Sequence, residues 1–112
     1  MGEDYAVNIL SQSGYSVLCR NYTCKGGEID IIAAKSEFLC FVEVKLRSKE
    51  SGLSPSLSVD KKKLSRIKTA QQSFLTEYQE NLHIASLTPR IDIFEIYTLD
   101  GNITKHNHII GI

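Results

Sequence analysis

Four residues whose types and spacing could do chemistry stand close together in this chain: Glu28, Asp30, Glu43 and Lys45. In extended backbone, successive side chains point to opposite faces, so Glu43 and Lys45 share a face of their run. Glu28 and Asp30 share a face of theirs. Carboxylates brought side by side repel each other unless a cation lies between them. Their neighbours Ile29, Ile31, Ile32, Val42 and Val44 are apolar, which removes water and sharpens the repulsion. A hard divalent cation held by Asp30 and Glu43 relieves it. Mg²⁺ is the default, because it takes one or two carboxylates and keeps several waters; Mn²⁺ follows the same ligand logic. Such an ion lowers the pKa of a bound water and polarises a phosphoryl oxygen. Lys45 is placed to position or help deprotonate an attacking water and to stabilise charge developing on phosphorus. Together these are the parts of phosphodiester hydrolysis. The plain alternative is a solvated strand face with cross-strand charge pairs, Glu28 pairing with Lys45.

Whether the two pairs meet depends on the elements that carry them. Glu28–Ala34 and Phe38–Leu46 are β-rich runs separated by Lys35-Ser36-Glu37, the strongest hairpin signal in the sequence. A two-residue turn at Ser36-Glu37 sets Lys35 against Phe38. The numbers of facing residues then sum to 73, which places Asp30 opposite Glu43 and Glu28 opposite Lys45. A four-residue loop keeps this register, whereas a three-residue loop slips it by one and turns Glu43 to the wrong face.

Around the hairpin, Ala6, Val7, Ile9 and Leu10 form a short helical stripe that Gly14 is placed to end. Tyr15 to about Tyr22 reads as a strand, with Tyr15, Val17 and Cys19 alternating against Ser16, Leu18 and Arg20. Lys25-Gly26-Gly27 is a turn signal. Ser48–Ser58, with Gly52 and Pro55, reads as an exposed loop. Ser58 or Asp60 is suited to cap a long helix in which Leu64, Ile67, Ala70, Gln71, Phe74, Leu75 and Tyr78 recur at helical spacing. Thr88-Pro89 breaks the chain, Ile91–Leu99 is a strand, Asp100-Gly101-Asn102 a tight turn, and Ile103 to Ile110 a last strand. The expected fold class is α/β, a mixed sheet of about five strands flanked by helices, in the order α-β-β-β-α-β-β.

A length of 112 residues points to one domain over residues 1–112. Hydrophobic residues make up 42% of it, too many for a disordered chain. No apolar run is long enough to span a bilayer, and no signal peptide opens the sequence, so the expectation is a cytoplasmic protein with no membrane partner. Cys19, Cys24 and Cys40 contain no Cys-x-x-Cys pair and are expected as free thiols. His106 and His108 share a strand face but have no third ligand nearby and are expected at the surface. His83 reads as a loop or helix-end residue. Gly26-Gly27 lacks the following helix of a phosphate loop, and Tyr15, Tyr22, Phe38 and Phe41 are read as core. The net charge is zero, yet residues 45–68 hold eight basic side chains against two acidic ones. Arg47, Lys61, Lys62, Lys63 and Arg66 could therefore grip nucleic-acid phosphates beside the carboxylates; a solvated loop and helix surface explains the same charges.

The phrases Gly27-Glu28-Ile29-Asp30-Ile31-Ile32, Phe41-Val42-Glu43-Val44-Lys45-Leu46-Arg47 and Arg90-Ile91-Asp92-Ile93 resemble those of a bacterial family of small proteins called YraN-like. Asp30 followed by Glu43-Val44-Lys45 is similar to the signature of the PD-(D/E)xK nucleases. The resemblance implies a restriction-endonuclease-like fold related to archaeal Holliday-junction resolvases. It implies Asp30 and Glu43 as metal ligands, Lys45 as the catalytic lysine, and Glu3 as an acid of the first helix that joins the site. It implies a basic residue opening the long helix, best matched by Lys62, with Arg90 and Asp92 as structural support. The resemblance implies a fold and a metal site, not a reaction; with the residues above, the leading expectation is a Mg²⁺- or Mn²⁺-dependent endonuclease on DNA, branched DNA among its candidate substrates, with a homodimer by analogy to the resolvases. The competing expectation is an inactive nuclease-fold module that binds nucleic acid or a protein.

Overall fold

A computed structural model of the chain describes residues 2–48 and 60–112. The expected loop between residues 49 and 58, Lys49 and the candidate cap Ser58 lie outside the described residues. Helix α1 spans Gly2–Gln12 and buries Gly2, Ala6 and Leu10 along one stripe. Gly14, at φ +93°, ends it. Tyr15 N–H donates to Leu10 C=O at 3.0 Å and Gly14 N–H to Ser11 C=O at 3.2 Å. This pairing satisfies the last carbonyls and carries Tyr15 back onto Leu10 in the core.

Strands β1 (Ser16–Cys24), β2 (Gly27–Lys35) and β3 (Phe38–Ser48) form an antiparallel meander. Helix α2 (Lys61–Glu77) and a short α3 (Leu82–Ala85) lead to β4 (Thr88–Leu99), which lies parallel to β3. Strand β5 (Asn102–Ile109) returns antiparallel beside β4, through the expected turn, with Asp100 and Gly101 both at positive φ. The sheet order is β1-β2-β3-β4-β5. The order and the mixed five-stranded sheet are those expected, and they are consistent with a restriction-endonuclease-like fold.

Each face of the sheet has its own core. Ala6 and Leu10 of α1 pack with Tyr15, Ile31, Ala33, Cys40, Val42, Phe94 and Ile96. Ile67, Ala70 and Phe74 of α2 pack with Ile29, Ile32, Leu39, Phe41, Leu87 and Ile91. Asp60 caps α2, its carboxylate accepting Lys63 N–H at 2.7 Å. Gly27 lets α2 lie down on β2. A Cβ there would stand 2.4 Å from Arg66 C=O and 2.7 Å from Ala70 N.

Three sequence expectations change. The alternation read along β1 breaks at a bulge between Val17 and Cys19. Val17 therefore packs on the α1 side, Cys19 on the α2 side, and Leu18 is exposed. Thr88-Pro89 does not break the chain but opens β4. Pro89 pairs with Leu39 on one side, and the β5 pairing starts only at Ile93, so the missing N–H costs no ladder bond there. Helix α3, capped by Asn81 through Ile84 N–H, was not expected, although His83 falls in its last turn as read.

Candidate metal centre

The β2–β3 hairpin turns through Ser36 and Glu37, with Ser36 at φ +54°. From Lys35↔Phe38 to Ile31↔Val42 the facing numbers sum to 73, the register expected. The paired ladder stops there. At the next position the Asp30 carboxylate takes the strand's place, and its Oδ2 accepts Val44 N–H at 2.8 Å. One main-chain donor of β3 thus fixes an acid of β2 directly beside Glu43.

Glu43 is only 5% exposed. Burial raises its pKa to about 7, with the neighbouring Asp30 carboxylate adding to the rise; Lys63 works the other way. Glu43 Oε2 faces two ammonium groups, Lys63 at 3.3 Å and Lys45 at 3.9 Å. Glu43 Oε1 is buried and has no hydrogen-bond partner among the described residues. A buried carboxylate oxygen with nothing to bind, next to a second carboxylate, suits a hard cation. Among the described residues no group of three His, Cys, Asp or Glu side chains gathers to hold a metal. The donor set is two carboxylates, which is enough for Mg²⁺ or Mn²⁺ that keep their own waters.

Asp30 and Glu43 open onto a cleft of about 570 Å³ lined also by Gly2, Glu3, Asp4, Arg20, Val44 and Leu46. Glu3 therefore reaches the same cleft as the two acids. Its carboxylate lies 4.0 Å from Arg20, which also binds Asp4 at 2.7 Å. Arg20, a guanidinium on the cleft wall, carried no signal in the sequence beyond its alternating place on β1.

The basic residues divide. Lys63 reaches Glu43, and it also stands 3.5 Å from Glu28 Oε1. Arg66 donates to the same Glu28 oxygen from Nε and Nη2, each at 3.3 Å. Glu28 thus turns to α2 and does not pair with Lys45, whose ion pair is with Glu43. Lys63 first, then Arg66, holds the Glu28 carboxyl below its ordinary pKa. Lys61 and Lys62 are exposed on the first turn of α2. Lys63, not Lys62, is the residue of that run that meets the acids. Its spacing was the available signal: residues 63, 67, 70 and 74 form one helical stripe, and the last three are buried. Arg47 folds along the sheet, its Nε 3.3 Å from the buried Glu95, with Nη2 buried and without a hydrogen-bond partner among the described residues. That contact draws it away from solvent.

The family model described as "Uncharacterised protein family UPF0102" matches residues 2–96. The chain belongs to this family. It is similar to a UPF0102 protein of Carboxydothermus hydrogenoformans, 41% identical over 95% of this chain and 86% of the relative. It is 42% identical to one from Caldicellulosiruptor bescii over 96% of this chain and 89% of the relative. It is 37% identical to one from Caldanaerobacter subterraneus over 99% and 89%. UPF0102 is the family of the YraN-like phrases read in the sequence. The matched stretch holds every acid and cation of the cleft and stops before β5.

Beyond the cleft, Arg90 and Asp92 form a second polar cluster on the α1 face. Asp92 is fully buried. Its Oδ1 accepts Arg90 Nε at 2.9 Å and Gly111 N–H at 3.0 Å. Its Oδ2 accepts Arg90 Nη2 at 2.9 Å and lies 2.8 Å from His108 Nε2. Burial pushes the Asp92 carboxyl up, but the bonds from His108, Arg90 and Gly111 outweigh it and hold it below its ordinary value. His106 is exposed, yet its Nδ1 lies 2.7 Å from Tyr5 Oη. The two histidines are thus tied separately, to Asp92 and to Tyr5. Among the described residues no helix is long and apolar enough to cross a membrane.

Proposed function

We propose that this chain is a Mg²⁺- or Mn²⁺-dependent endonuclease that hydrolyses phosphodiester bonds in DNA, including branched DNA. The observation that carries the reading is Glu43 Oε1, a buried carboxylate oxygen without a hydrogen-bond partner among the described residues, set beside Asp30 and flanked by Lys45. Asp30 and Glu43 would hold the ion, and Val44 N–H keeps the Asp30 carboxylate turned toward it. A bound divalent ion supplies a water of lowered pKa and an electrophile for a phosphoryl oxygen. Lys45 orients the attacking water and offsets charge as it builds on phosphorus. Lys61, Lys62 and Arg66 contact flanking phosphates, giving an affinity that falls steeply with salt. The homodimer implied by resolvase-like relatives would present two such clefts.

One observation favours a second reading, a module that binds nucleic acid without cleaving it: Lys63 and Lys45 already neutralise Glu43. Incubating labelled four-way-junction, single-stranded and duplex DNA with Mg²⁺ or Mn²⁺ separates the two. The nuclease reading expects cleavage that Glu43→Ala and Lys45→Ala abolish. Binding to DNA without cleavage of any substrate leaves the binding module standing.

A further inference from the structure

Lys63 lies between two carboxylates, Glu43 of β3 and Glu28 of β2. Its Nζ is 3.3 Å from Glu43 Oε2, nearer than the strand's own Lys45 at 3.9 Å. It is also 3.5 Å from Glu28 Oε1, at the open edge where Arg66 binds the same oxygen. Glu43 is buried, whereas the Glu28 side chain is 42% exposed. A buried carboxylate beside a second one needs a positive charge. In the structure the first turn of α2 supplies that charge through Lys63.

We propose that Lys63 is a built-in counter-ion of the metal site, exchanged for the incoming divalent cation and received by Glu28. This inference rests on the metal-site reading above. A divalent ion at Glu43 and Asp30 repels an ammonium lodged against the same carboxylate, by several-fold in affinity at these distances even with strong screening. Glu28 lies within reach of Lys63 without backbone movement, because Asp60 pins the helix start through Lys63 N–H. After the exchange, Lys63 and Arg66 stand together on the Glu28 carboxylate, a pair able to bind a substrate phosphate. Lys63 is a positioning residue in this scheme: it sets the affinity for the ion and the moment at which a second cation becomes free for the substrate.

The two substitutions act in opposite directions. Removing Lys63 removes the competitor, so Lys63→Met binds Mn²⁺ roughly tenfold more tightly. Removing the receiving carboxylate leaves Lys63 no other partner, so Glu28→Gln binds Mn²⁺ about threefold more weakly, by a lost partly exposed pair. In the Lys63→Met background the Glu28 substitution has no effect, because no ammonium remains to be received. Free Mn²⁺ in titrations of the intact protein, read by electron paramagnetic resonance, measures each affinity without reference to activity. Glu28 is partly exposed, so Glu28→Gln folds even if Lys63→Met does not, and it tests the exchange alone. Asp30→Asn is the control. If it leaves Mn²⁺ binding intact, or if no variant binds Mn²⁺, the metal-site reading itself falls and the exchange with it. If Asp30→Asn abolishes binding but Lys63→Met does not tighten it, or Glu28→Gln acts equally in both backgrounds, the site stands and the exchange is overturned.

Discussion

Val44 N–H donates to Asp30 Oδ2 at 2.8 Å, at the point where the backbone pairing of β2 and β3 ends. A side chain takes over from the main chain, and two strands that would otherwise run on as a sheet part around a pair of acids. The bond holds Asp30 beside Glu43 although their charges repel.

Asp30→Asn keeps an acceptor for Val44 N–H and removes one charge from the pair. Without metal at pH 7 it should stabilise the protein by about 1 kcal/mol, as repulsion at a buried acid is relieved. Wild type should gain about 2.7 kcal/mol from an ion at one hundred times its dissociation constant, and the variant nothing. Melting curves with EDTA and with Mg²⁺ test both halves. Equal Mg²⁺ stabilisation of the two proteins would place the ion elsewhere.

The raised pKa of Glu43 gives the metal-free protein a pH dependence of definite sign. Below about pH 4.5 the carboxyl is protonated both folded and unfolded, and it carries no penalty. As pH rises from 4.5 toward 7, the unfolded chain ionises while the folded one does not, and stability falls. The loss is on the order of 3 kcal/mol, complete by about pH 7. Urea unfolding in EDTA across this range should show the decline, and Glu43→Gln should flatten it. A wild-type profile that rises through the same window contradicts this account of Glu43.

Asp92 works in the opposite sense, since its carboxyl is held below its ordinary value. It stabilises the fold at neutral pH and loses that contribution as acid protonates it. Asp92→Asn leaves the Arg90 guanidinium without its charge partner in the interior, at a cost of about 3–5 kcal/mol. The cleft lies elsewhere on the sheet, so metal affinity at a temperature where the variant is folded should be unchanged. A large loss of Mn²⁺ binding by folded Asp92→Asn would argue against a purely structural role.

Gly27→Ala tests how α2 is placed. The added Cβ would meet Arg66 C=O and Ala70 N, backbone atoms that cannot swing aside. A cost of about 1–3 kcal/mol is expected, with α2 pushed off β2 and Lys63 withdrawn from Glu43. The denaturation midpoint checks the first part and a crystal structure of the variant the second. A neutral Gly27→Ala would mean that the helix sits less closely than described.

The site's register was legible because it rests on local facts. Ser36-Glu37 can close a two-residue turn, and side-chain alternation carries the acids from there to the same place. The helix ends were legible too, through Gly14 and Asp60. What escaped the sequence depends on partners distant along the chain. Glu28 was matched to Lys45 by strand logic, but α2 offers it two cations at once. Arg47 was read as a phosphate contact because nothing local shows that Glu95, on a neighbouring parallel strand, lies buried beside it. The bulge at Val17 and Cys19 left no mark, since both residues suit either core. Lys63 could have been singled out from its neighbours by the stripe it shares with Ile67, Ala70 and Phe74.

The most direct measurement is anomalous X-ray scattering from crystals grown with Mn²⁺. The account predicts one strong peak bonded to an oxygen of Asp30 and to Oε1 of Glu43. A peak at other residues only, or none at millimolar Mn²⁺ with both carboxylates ordered, would contradict it.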